Sequence, residues 1–70
     1  MQPFLEITVN GQRREVRADA RLCDLLSELG LDGAAVAVER NRKLVRRSDH
    51  GVTALERGDE IEVVTLVGGG

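Results

Sequence analysis

Leu5, Ile7 and Val9 alternate with Phe4, Glu6 and Thr8, a period of two that reads as a half-buried strand. Asn10-Gly11 closes it, because both residues tolerate the positive φ that a two-residue hairpin turn demands. Gln12 to Val16 follows in an extended pattern, so the chain is expected to open on a β-hairpin. From Leu22 the period changes. Leu22, Leu25, Leu26 and Leu29 stand at i, i+3, i+4 and i+7, one arc of about 100° on a short amphipathic helix. Asp19 or Arg21 falls at its cap, and Asp19 is the better acceptor for unpaired N–H groups. Gly30 stops the helix by offering a left-handed conformation just past the last periodic residue.

Two short strands are expected next. Ala35 to Glu39 carries Val36 and Val38 on one face, and Asn41-Arg42 turns the chain into Leu44-Val45. Residues 46–53 show no period and contain Gly51, which predicts a loop with room for one helical turn. Gly58-Asp59 opens a last strand over Glu60 to Val67, with Ile61 and Val63 on one face and Glu62, Val64 and Leu66 on the other. The order is β-β-α-β-β-β, an α+β architecture with one helix on one face of a small mixed sheet. Leu5, Ile7, Val36 or Val38, Ile61 and Val63 are expected to meet the helical leucines. Phe4, Glu6, Thr8, Glu62, Val64 and Leu66 are left on the wet face, provided the first and last strands pair. An apolar group rimmed by carboxylates there is a candidate docking surface.

Seventy residues suffice for one small core, and the expected organisation is a domain over residues 1–67 with a flexible glycine tail at 68–70. Apolar residues at 41% and charged residues at 31% fit a globular chain. One Cys and one His provide neither a disulfide nor a four-ligand zinc site, so stability is expected from packing alone. A net charge of −2 argues against nucleic acid as the principal partner. No apolar run approaches the roughly 18 residues of a membrane span, nor does the N-terminus resemble a signal peptide, which makes the cytoplasm the expected address.

Sequence signals for catalysis are missing: there is no GxGxxG, Walker A, HExxH or Gly-x-Ser-x-Gly pattern. Cys23, at the margin of the apolar arc, reads as a small packed residue, and His50, in the loop, as a solvent-facing one. Arg40, Arg42, Lys43, Arg46 and Arg47 make up half of the ten basic residues; without interleaved aromatics they read as a solvated surface. Glu56, Asp59, Glu60 and Glu62 cluster near the last strand, where they are placed to steer a basic partner.

The informative feature is the finish, where Val63-Val64-Thr65-Leu66-Val67 runs straight into Gly68-Gly69-Gly70. Glycines without Cβ atoms thread a channel too narrow for other residues. Four residues reach roughly 13 Å when extended, enough to enter a neighbour's active site while the folded body docks outside. A terminal carboxylate is a poor electrophile, and the economical activation is an acyl-adenylate made from ATP. A frayed terminus without function is the plain alternative.

Ile7-Thr8-Val9-Asn10-Gly11, Leu25-Leu26 with Glu28-Leu29-Gly30, Val36-Ala37-Val38 with Asn41, Val45 with Arg47-Ser48, and Gly58 to Val64 leading to Gly70 together resemble the ThiS family. These are sulfur carriers of thiamine biosynthesis with a ubiquitin-like β-grasp fold. The resemblance implies that Gly70 is adenylated by an E1-like enzyme using ATP and magnesium, then converted to a thiocarboxylate with sulfur from a persulfide donor. Thiazole synthase would receive that sulfur. Gly68 and Gly69 would form the threaded tail, and Phe4, Glu62, Val64 and Leu66 would belong to the docking face. The chain itself would be a co-substrate, not an enzyme, with no cofactor of its own. Arg46 stands where the family commonly has Pro, Arg21 where a Thr commonly caps the helix, and His50-Gly51 where an aromatic is frequent. Other sulfur acceptors such as molybdopterin, conjugation to protein lysines, and a β-grasp interaction domain with incidental glycines stay open as alternatives.

Overall fold

The computed structural model describes residues 3–66. Its elements are β1 (Phe4–Val9), β2 (Gln12–Arg17), α1 (Leu22–Glu28), β3 (Val36–Arg40), β4 (Lys43–Val45), a 3-10 turn (Arg47–Asp49) and β5 (Glu60–Thr65). This is the expected β-β-α-β-β-β order. The strands lie in one mixed sheet in the order β2-β1-β5-β3-β4. β1 and β5 run parallel at its centre, and the other neighbours are antiparallel. Residues 67–70, including the expected boundary between domain and tail, lie outside the described residues.

The core forms where the two periodicities meet. Ile7, Val9, Val16, Val38, Ile61 and Val63 line the covered face of the sheet against Leu22, Leu25 and Leu26 of α1, with Ala20 and Leu55 closing the ends. Leu5, Val36 and Leu29 are partly buried against this group.

Both hairpins turn on two consecutive residues of positive φ, Asn10-Gly11 (51° and 82°) and Asn41-Arg42 (52° and 69°). The two asparagines also reach sideways into the central strand. Asn10 accepts a hydrogen bond from the Val63 N–H at 2.8 Å and donates to the Val63 carbonyl at 3.2 Å, extending the β1–β5 pairing past the turn. From the other side, Asn41 accepts from the Glu60 N–H at 2.9 Å and donates to Asp59 Oδ1 at 3.1 Å. β5 is thereby gripped at both ends by residues whose visible role in the sequence is to turn the chain.

Several local expectations are corrected. Arg21, not Asp19, caps α1: Asp24 Oδ2 accepts from the Arg21 N–H at 2.8 Å, while Asp19 pairs on the surface with Arg17. The first helical N–H groups, of Leu22 and Cys23, donate to the Thr53 and His50 carbonyls at 2.9 and 3.0 Å, so the loop takes the acceptor role expected of Asp19. Cys23 is exposed because the packed arc is only as wide as its leucines. His50 is buried, with Nε2 3.1 Å from the Val45 carbonyl. That contact ties the loop after β4 back to the strand. Among the described residues no helix is long and apolar enough to cross a membrane.

Candidate functional site

Strand register decides which of the expected surface residues stand together. Thr8 pairs with Glu60 in the parallel β1–β5 ladder. Phe4 lies four residues before Thr8 and Val64 four residues beyond Glu60, so the two stand about eight residues, roughly 26 Å, apart along the sheet. Phe4 therefore leaves the site. Its cross-strand neighbour is Arg17, at the far end of the β1–β2 hairpin. A parallel pair staggers what an antiparallel pair would have brought level.

Glu62, Val64 and Leu66 stay together at the end of β5 where the tail departs. The β3–β5 register sets Glu39 opposite Glu62 and Ala37 opposite Val64, and the Leu66 N–H donates to the Ala35 carbonyl at 2.9 Å. Across β3, Leu44 of β4 is the partner of Glu39. On the solvent face at this end small Ala37 lies beside Val64, while Leu44 stands across Glu39 from Glu62, two positions along the sheet from the Val64 level. Leu44, Val64 and Leu66 are 70%, 58% and 54% exposed, which is the arrangement of a docking surface and not of a core.

Leu44 belongs to the site although the periodicity of its own short strand gave no reason to include it. A signal did exist. A two-residue turn at Asn41-Arg42 puts residue 44 opposite Glu39, on the polar face of β3, and therefore in the open.

The expected acidic cluster is dismantled by the fold. Asp59 is 4% exposed, and its carboxylate accepts from Arg40 Nε and the Glu56 N–H, both at 2.9 Å, and from Asn41. Glu56 pairs with the other arm of Arg40 at 2.8 Å. Asp59 and Glu56 thus serve to pin the start of β5, which leaves Glu60 and Glu62 exposed for a partner. Arg40 leaves the basic run for the same reason.

No group of three metal-ligating side chains occurs among the described residues. A groove of about 400 Å³ is lined by Val9, Asn10, Gln12, Leu29, Leu31 and Val63 among others. It opens beside the helix end and holds none of the expected site residues. Gly68, Gly69 and Gly70 lie outside the described residues; what the fold shows is the strand that leads to them, held on both sides as far as Val63.

The ThiS family model matches residues 7–70. A solved structure of the thiamine biosynthesis protein (ThiS) from Geobacter metallireducens is 32% identical, with a TM-score of 0.79 over 94% of this chain and all of that one. Two curated relatives named thiazole synthase, from Paramagnetospirillum magneticum and Magnetococcus marinus, are 39% and 41% identical over 66 residues, 94% of this chain. The chain spans about a fifth of the length of those two relatives, 20% in each case.

Proposed function

The chain belongs to the ThiS family of small sulfur carriers in thiamine biosynthesis, and from that membership we propose that its Gly70 carboxylate is the atom group that carries the sulfur. The supporting observation is the family match, which continues past the last strand through Gly70.

The chemistry follows from what a carboxylate lacks. Oxide is too poor a leaving group for direct substitution, so an adenylating enzyme first transfers AMP from ATP to the Gly70 carboxylate and releases pyrophosphate. Magnesium on the phosphates belongs to that enzyme. A persulfide then attacks the acyl carbon and expels AMP, leaving an acyl disulfide. A thiol reduces that bond, freeing the Gly70 thiocarboxylate and forming a disulfide with the donor's sulfur. The thiocarboxylate is nucleophilic where the carboxylate was inert. Its sulfur bonds to an electrophilic carbon of the nascent thiazole, and water then cleaves the resulting thioester at the acyl carbon, leaving the sulfur on the substrate and returning Gly70 to its carboxylate.

The folded body contributes position. Val64, Leu66 and Leu44 dock on the partner, Glu62 sits on the rim, and Gly68 and Gly69 pass through the narrow entry to its active site. Relatives five times longer that carry the name thiazole synthase support a synthase as the receiving partner, joined to the carrier in one chain in those proteins. The exchange is assigned to the cytoplasm, where ATP is supplied.

Intact-mass spectrometry tests this reading. After incubation with the adenylating enzyme, ATP and a persulfide source, the mass is expected to rise by the difference between one sulfur and one oxygen. Deleting Gly70 is expected to abolish the change while the thermal unfolding midpoint stays in place, because the described core is built from residues between Ile7 and Val63. An unchanged mass with an enzyme that charges another carrier would overturn the proposal.

A further inference from the structure

Ten basic residues are distributed unevenly over this fold. Arg13, Arg14, Arg17 and Arg40 stand in ion pairs, and Arg21 donates to the Gly51 carbonyl. Of the remaining five, Arg42, Lys43, Arg46 and Arg47 fall in one stretch that runs along β4, the edge strand. All four are exposed, and none is in an ion pair with a carboxylate among the described residues.

Three unfavourable features coincide there. Four unpaired cations repel one another on a chain whose net charge is −2. Leu44, in their midst, is the most exposed of the large apolar residues. Arg42 holds a φ of 69° at a turn position where glycine would be free of steric cost. The hairpin itself accounts for the Arg42 backbone, whereas no ion pair among the described residues offsets the four cations, and an exposed apolar residue ringed by unpaired charge points outward.

We infer that the β4 edge is the second half of the docking surface, and that it is read by a protein partner whose carboxylates surround an apolar socket for Leu44. The inference rests on the carrier reading, since Leu44 shares the solvent face of the sheet with Val64 and Leu66, level with Glu62 across β3. A protein fits better than a nucleic acid. The stretch has no aromatic to stack on a base, and the exposed Leu44 amid the cations calls for an apolar contact that a phosphate backbone does not offer.

The test uses the full chain with the adenylating enzyme of the same pathway, reading ATP–pyrophosphate exchange at several salt concentrations. Reversing two charges, Arg46→Glu with Arg47→Glu, is expected to lower kcat/KM about tenfold at low salt and to flatten its salt dependence, with kcat unchanged. Arg42→Gly separates docking from folding: its thermal midpoint is expected not to fall, because strain is removed, while kcat/KM drops severalfold. Exchange by the unaltered chain with identical behaviour in all variants would sink the β4 inference and leave the carrier reading standing. Failure of the unaltered chain to support any exchange would sink the carrier reading itself. Salt-sensitive retention of a single-stranded oligonucleotide by the unaltered chain, lost in the double variant, would overturn the protein partner in favour of nucleic acid.

Discussion

Asn10, Asn41 and Asp59 carry more of this fold than their size suggests, since each fastens β5 through its side chain. Replacing Asn10 by Ala removes both bonds to Val63 and puts a less tolerant residue at a φ of 51°. The expected loss is roughly 1 to 2 kcal/mol in urea unfolding, and Asn10→Gly should recover only the backbone part. Asp59→Ala strands the Arg40 guanidinium, the Asn41 amide and the Glu56 N–H together. Because the Arg40 side chain keeps some contact with water, the cost is placed at about 2 kcal/mol and not at the full value for a buried pair. The type of each asparagine announced a turn, but its second role needs a partner about fifty residues or about twenty residues away in the chain, and no local pattern contains that. Asp59 shows the same limit. Four acidic residues near the last strand looked alike in sequence, yet Arg40 drew two of them, the buried Asp59 and the exposed Glu56, into ion pairs.

At the scale of the element, β5 has two populations of side chain with opposite tasks. Ile61 and Val63 belong to the core, while Glu62 and Val64 face water on the alternate positions. Val64→Asp is therefore expected to leave the unfolding midpoint within a degree or two and to abolish charging by the adenylating enzyme. Phe4→Ala should leave charging unaltered, because the parallel stagger puts Phe4 at the far end of the sheet; impaired charging there would contradict the register. Within α1, Leu25 is fully buried and Leu25→Ala should cost about 3 kcal/mol by loss of contact and creation of a cavity. These elements were legible from the start. Period two gave the strands, period 3.6 gave the helix, and their ends differ from expectation by a residue or two, as helix and strand ends do.

The molecule as a whole is a carrier body: a single core without a disulfide or metal-ligating cluster among the described residues, held by packing, with Val64 and Leu66 exposed on the segment that leads to the glycines. Cys23→Ser is accordingly expected to leave stability unchanged within about 0.5 kcal/mol. The chain also spans a fifth of relatives named thiazole synthase, which bears on how the tail comes to be free. If the native product continues beyond Gly70, mass analysis of the purified protein should show a cut after that residue before any sulfur is loaded.

By itself the sequence determined the element order, the central part of the core and the glycine finish. Those depend on periodicity, turn residues and functional groups, which act over a few positions. Only the tertiary structure decided which surface residues share the site. Strand order and stagger set Leu44 on the same solvent face as Val64 and Leu66, send Phe4 to the far end, and draw Arg40, Glu56 and Asp59 into one ion-paired group in which only Asp59 is buried. Register is a property of pairs of distant segments, so a one-dimensional pattern says which face a residue takes but not which neighbours it meets there.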